Sequence, residues 1–155
     1  MLLGGLSASV NQSTIKALSY IKKYKHMKYV DGFVFVVPKK NLEAYKKMAT
    51  QGGKIWMKHG ALDYKECIGE DMDPNAAMDS EWKTLTFPQM TKCGPDEVVG
   101  FSFIVFNSRA HRDEVNKKVM ADPEMNNSVE KDQPMPFDMK RMAYGGFETI
   151  VDALS

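Results

Sequence analysis

The sequence predicts an α+β domain of the ferredoxin-like type, βαββαβ, with an antiparallel sheet and helices on one face. Three observations predict it. The runs Asp31-Gly32-Phe33-Val34-Phe35-Val36-Val37 and Val99-Gly100-Phe101-Ser102-Phe103-Ile104-Val105 repeat one design, an apolar, β-branched and aromatic stretch of strand length. Each is followed by a helical stretch with a lysine pair, Lys46-Lys47 and Lys117-Lys118. The other two strand candidates carry charges, which suits sheet edges because an edge must resist pairing with other chains.

The first strand runs from about Tyr29 to Val37 and ends at Pro38, which cannot continue a ladder. Asn41 is placed to cap the helix that follows. Leu42, Tyr45, Met48/Ala49, Ile55/Trp56 and His59 recur at three- and four-residue steps and form one apolar stripe. Gly52-Gly53 interrupts the stripe and predicts a bend, and Gly60 is placed to end the helix in the left-handed conformation. Ala61–Ile68 reads as the second strand, with Asp63, Lys65 and Glu66 as its charges.

Residues 69–96 read as the longest irregular stretch, opening on the acidic Glu70-Asp71-Met72-Asp73-Pro74 and closing on the turn Gly94-Pro95-Asp96. After the third strand, Ser108 or Asn107 caps a second helix with His111, Val115 and Val119 on one face, stopping at Pro123. Asn126–Pro136 is polar and reads as loop. The fourth strand is predicted over Met139–Phe147, with Lys140 and Arg141 as charges and Gly145-Gly146 allowing a bulge or a close approach.

Composition narrows the function classes. Lys and Arg total 21 against 20 Asp and Glu, a formal charge of +1, so no global field draws in nucleic acid or anionic membrane. Cys67 and Cys93 lack partners at metal-ligand spacing and read as free thiols in a reducing compartment, the cytoplasm. No apolar run approaches the ~20 residues that span a bilayer, so no membrane partner is expected. Residues 1–26 read as an N-terminal extension, helical or disordered: Met1–Val30 has no acidic residue, and Ile15, Leu18, Ile21 and Tyr24 fall at helical spacing. Residues 27–155 read as the single domain. Strands one and three are apolar on both faces, which calls for a second protomer over the open face and hence a homodimer.

Several runs together carry a family resemblance: Tyr29-Val30-Asp31-Gly32-Phe33, Pro38-Lys39-Lys40-Asn41-Leu42-Glu43-Ala44-Tyr45, His59-Gly60-Ala61-Leu62, Ser108-Arg109-Ala110-His111-Arg112-Asp113-Glu114-Val115-Asn116 and Met135-Pro136-Phe137-Asp138-Met139-Lys140-Arg141-Met142-Ala143-Tyr144-Gly145-Gly146-Phe147. From about Met27 to Asp152 the chain resembles the bacterial YbaA-like family, a domain of unknown function numbered 1428. The resemblance implies a dimeric α/β barrel, two ferredoxin-like sheets packed face to face, and carries no activity with it. Relatives start near the position of Met27, so the extension is a departure, and the acidic stretch after Ile68 is longer than is typical.

The candidate catalytic residues are His59, in the last turn of the first helix, and Tyr64 on the second strand. Trp56, Arg141, Tyr144 and His111 are candidate ligand-binding residues: an aromatic wall, an anion-binding pair and a half-buried imidazole. Each has a plainer role as core, edge solvation or helix-end charge. Arg109 and Arg112 put positive charge at the positive end of the second helix, which calls for an anion or an acidic neighbour. No metal site and no cofactor motif is present, since neither zinc spacing nor a phosphate-binding glycine loop occurs. A small-molecule ligand in the cleft between sheet and helices, near His59, is the leading expectation, with or without cofactor-free catalysis. An RNA-binding module is the alternative, because Val99-Gly100-Phe101-Ser102-Phe103-Ile104-Val105-Phe106 follows most of the RNA-recognition signature, with Phe101 and Phe103 as base-stacking rings. A structural or regulatory interaction protein is a further class. Because all four strands lie beyond residue 26, a chain of residues 27–155 is expected to keep its cooperative melt within a few degrees of full length; loss of the transition would place the extension in the core.

Overall fold

The computed structural model describes residues 11–14, 16, 28–73, 84–128 and 134–153. The expected helical positions Ile15, Leu18, Ile21 and Tyr24 lie outside them. The elements are β1 (Tyr29–Pro38), α1 (Leu42–Lys58), β2 (Asp63–Ile68), α2 (Phe87–Thr91), β3 (Glu97–Phe106), α3 (Arg109–Ala121), α4 (Pro123–Ser128) and β4 (Ala143–Glu148). The four strands form one antiparallel sheet in the order β2-β3-β1-β4. The two most apolar strands are therefore central and the charged ones lie at the edges.

Register decides which side chains share a face. Phe33 stands opposite Ser102 and Tyr144, while Ile104 stands opposite Tyr64 and Ser102 opposite Glu66. Alternation then sends Phe33, Phe35, Ser102, Ile104, Tyr64 and Glu66 to the helix-covered side. Two buried clusters form there. Ile55, Ile104, Phe106, Val115 and Val119 pack under α1 and α3, and Phe35, Val37, Tyr45 and Ala49 pack nearer the start of α1.

Several local expectations are corrected. The helix α1 runs unbroken through Gly52-Gly53. These glycines serve close packing instead, since a Cβ on Gly53 would lie 2.8 Å from the Tyr64 ring. Asn41 occupies the N-cap without a capping bond, and its side-chain amide donates to the Pro136 carbonyl at 2.9 Å. The stretch before β3 contains a helix, α2, closed by a capping box between Thr86 and Gln89 with a proline in its first turn. Ser108 caps α3 as expected, accepting from the His111 amide, whereas α4, opened by Pro123, extends through Ser128 into the stretch from Asn126 expected as loop. The fourth strand begins at Ala143. Met139–Arg141 forms a 3-10 turn, capped by the Asp138 carboxylate on the Lys140 amide.

The open sheet face is also not uniform. α2 packs on β1 and β3, with the Phe87 ring 6.4 Å from that of Phe101, and Val36 and Val99 are buried. Phe101, beside α2, is still 42% exposed, and Phe147 on β4 is 60% exposed. Part of the apolar face is thus covered from within the chain.

Gly100 lies on the helix-covered side, where a Cβ would overlap the Phe35 ring. Phe35 is buried against Tyr45 and Phe137 and has little room to yield. Gly100→Ala is expected to cost about 1–3 kcal/mol of stability, measured by chemical denaturation. A variant as stable as the parent would mean that Phe35 moves aside freely.

Candidate functional site

Tyr64 and Glu66 are two apart on β2, so both side chains turn toward α1. Tyr45 comes down from the first turns of α1 to meet them. The Tyr64 hydroxyl donates to one Glu66 carboxylate oxygen at 2.6 Å, and the Tyr45 hydroxyl donates to the other. A half-buried carboxylate therefore ties the helix to an edge strand through two phenols. Burial first, and then the bond to Glu66 and its charge, push both phenols well above the usual tyrosine range. Both hydroxyls stay protonated at any physiological pH.

This cluster separates two spaces. Inside it, between sheet and α1, is a cavity of about 230 Å³ with Phe33, Phe35, Trp56, Ser102, Ile104 and Phe137 in its lining. Outside it is a groove of about 610 Å³ that includes Leu42, Glu43, Lys46 and Thr50. Tyr45, Ala49, Tyr64 and Glu66 line both. The inner lining contains no Lys, Arg or His.

A second polar cluster lies on the same sheet side toward β4. Asp31 is buried, with the Arg112 Nε at 3.6 Å. Burial pushes the Asp31 carboxyl up, and Arg112, Asn116 and Tyr144 work against that shift. The Arg112 guanidinium donates to the Tyr29 hydroxyl at 3.3 Å and to the Tyr144 hydroxyl at 3.5 Å, and sits over the Tyr29 ring. The unfavourable first-turn arginine is thus explained by an acidic neighbour on β1. Trp56 links the clusters, since it lines the cavity while its indole N–H donates to Asn116 at 3.1 Å.

Of the residues singled out from sequence, Trp56 and Tyr64 are brought together, with ring centroids 6.4 Å apart. His59 is not with them. Its Nε2 is 2.6 Å from the Asp122 carboxylate, which Lys58 also approaches at 3.0 Å, so this cluster pins the end of α1 to the junction of α3 and α4. His111 accepts the Asn107 amide proton at 3.1 Å on Nδ1 and lies edge-on to Phe106. Arg141, on the 3-10 turn, clasps Glu97 at 2.6 and 3.0 Å and the carbonyls of Thr91 and Lys92. That places it near the start of β3, whereas Tyr64 stands opposite Ile104 further along the strand. Tyr144 stacks on Phe33 at 4.8 Å and belongs to the Arg112 cluster.

Sequence reasoning missed Glu66 and Tyr45 as site residues, and it asked for an acidic neighbour to Arg112 without finding Asp31. The available signal was the spacing of Tyr64 and Glu66: once Tyr64 faces the helices, Glu66 must as well. Among the described residues no three His, Cys, Asp or Glu side chains come together in a metal-holding group, and no helix is long and apolar enough to cross a membrane. Phe101 and Phe103 do lie on the open face. The cation that the described strands place beside them by alternation is Lys65, ion-paired with Asp63.

His59, followed by the Glu124 amide and Lys58, holds the Asp122 carboxyl at about 2, below its usual 3.8. A lowered folded-state value stabilises the fold above the unfolded value, and that stability disappears as pH falls through the folded one. Asp122→Asn is therefore expected to melt below wild type at about pH 5, with the gap closing toward about pH 2. A gap that persists at the acid end would assign the loss to packing instead.

The family model and the curated relatives agree with one another at the level of family. The model of the family "Protein of unknown function (DUF1428)" matches residues 28–139. The uncharacterized protein YbaA of Escherichia coli (strain K12) is 41% identical over 126 residues, which is 81% of this chain and 99% of that protein. YbaA of Shigella flexneri matches with the same figures. Among solved structures, AtUAH in complex with (S)-hydroxyglycine is 14% identical with a TM-score of 0.27; the match covers 68% of this chain and 24% of that one. A likeness that weak carries no argument about fold or function. The family match and the near-complete alignment with YbaA are of a different order, and by them the chain belongs to the bacterial YbaA-like family, DUF1428.

Proposed function

We propose that the protein binds a small molecule in the cavity between sheet and α1, and does so as a homodimer joined through the open sheet face. The observation that carries this reading is the cavity itself: a largely apolar lining rich in aromatic and methionine side chains, with one carboxylate and two phenols converging on its wall. A few fixed polar groups in an apolar space are what orients a small ligand. The strand order β2-β3-β1-β4 supports the ferredoxin-like reading. In the dimeric α/β barrel two such sheets face each other, which would bury the exposed rings of Phe101 and Phe147. Free thiols at Cys67 and Cys93 support a cytoplasmic location. Cofactor-free catalysis at this site would rest on Glu66 as the proton acceptor, with the two phenols holding it in place. Among the described strand residues the cation on the open face is Lys65, which is paired with Asp63, and this favours a protein partner there over RNA.

Two measurements test this. Native purification followed by mass spectrometry is expected to return a small molecule with wild type and little or none with Ser102→Leu, which fills the cavity, provided the variant melts cooperatively. Equal retention by both would place the ligand elsewhere. Light scattering at micromolar concentration is expected to show about twice 17.5 kDa, and Phe147→Glu is expected to shift the protein to monomer. A wild-type monomer at that concentration would overturn the dimer.

A further inference from the structure

We infer that the cavity is built for an organic cation, a protonated amine on an apolar body, with its ammonium against Glu66 and its body between the aromatic walls. This rests on the cavity being a binding site and names what the site selects.

Charge points that way first. Two carboxylates, Asp31 and Glu66, face the helix side of the sheet near the cavity. Asp31 has its own counter-charge in Arg112. Glu66 has no ion-pair partner among the described residues, and no basic residue shares the inner lining with it. The two phenolic hydrogen bonds offset desolvation of that carboxylate but leave its charge without a counter-ion, and a cationic ligand supplies one.

Hydrogen-bond direction agrees. Tyr45 and Tyr64 each spend their single hydroxyl proton on Glu66. What the three groups still offer is lone pairs on the carboxylate and on two phenolic oxygens. A carboxylate or carbonyl ligand finds no donor among them. An ammonium, with N–H donors and no acceptor, finds acceptors on every side.

The walls complete the argument. Phe35, Tyr45 and Phe137 form one aromatic group, with centroids 5.1 to 5.7 Å apart, and Trp56 and Tyr64 form a second at 6.4 Å. Glu66 is bonded to one member of each. Aromatic faces around a carboxylate are the environment in which a desolvated cation is held by ring quadrupoles as well as by charge. In the outer groove, by contrast, Lys46 stands with Glu43 and Glu66, so that side of the wall already carries a cation.

The test is isothermal titration of the full chain at neutral pH with 2-phenylethylamine, 2-phenylethanol and 3-phenylpropionate, which share a body and differ in the polar end. The amine is expected to bind at least tenfold tighter than the alcohol, with the propionate weakest. Glu66→Gln, nearly isosteric, should bring the amine to the level of the alcohol and leave the alcohol unchanged. Phe137→Leu should weaken the amine more than the alcohol, and a cooperative melt confirms that each variant folds. Equal binding of all three that Ser102→Leu abolishes would sink the cation and leave the cavity standing as a site. Binding that Ser102→Leu leaves untouched would sink both. An amine preference that survives Glu66→Gln, or no amine binding at all, would overturn the inference.

Discussion

Glu66 is the point on which the rest of the site depends. An acidic side chain turned inward from an edge strand loses much of its hydration, and the protein answers with two phenolic donors, one from β2 and one from α1. Hydrogen bonds to a charged group contribute about 1.5–3 kcal/mol each, of the same order as the desolvation they offset. The cluster is therefore better understood as a positioning device than as a source of stability. It sets how far α1 stands from β2, and Gly53 makes that distance short by leaving room for the Tyr64 ring. The division into inner cavity and outer groove follows from the same three side chains.

The sheet imposes a second constraint. Its central strands are apolar on both faces, and α1 and α3 cover only one. The chain covers part of the other with α2, a single capped turn and a half that sets Phe87 against Phe101 and helps bury Val36 and Val99. The end carrying Phe147 stays exposed. At the β4 edge a different solution operates: Asp31 and Arg112, both removed from solvent in large part, are held by Tyr29 and Tyr144. The indole of Trp56 reaches that cluster through Asn116, so the two polar groups on this side of the sheet are mechanically joined.

Much of this was legible from residues alone. Strands β1 and β3 announce themselves by β-branched and aromatic runs, and the stripe from Leu42 to His59 reads directly as a helix. The cleft between sheet and helices, with Trp56 and Tyr64 in it, also follows from patterning. What patterning does not show has one cause: a charged residue reads as solvated or open until the fold brings its partner to it. Glu66 reads as edge protection until register sets it on the face of Tyr64. Arg141 reads as a strand residue open to an anion until the Asp138 cap curls the chain and Glu97 takes the guanidinium. His59 suggests acid-base chemistry until Asp122, 63 residues away, is brought against it. Such pairings are long-range, and periodicity does not encode them. The capping box at Thr86-x-x-Gln89 is different, since it was visible locally and marks α2 without any tertiary information.

The most direct test of the central claim is the ionisation of the two phenols, followed by NMR on tyrosine labelled with ¹³C at Cζ. If Glu66 accepts a hydrogen bond from both hydroxyls in a desolvated wall, the Cζ resonances of Tyr45 and Tyr64 will hold their protonated shifts well beyond the usual tyrosine value of about 10. In Glu66→Gln both would then begin to titrate at lower pH. Ionisation of either ring near pH 10 in the wild-type fold would contradict the account, because the carboxylate would then not be held between them.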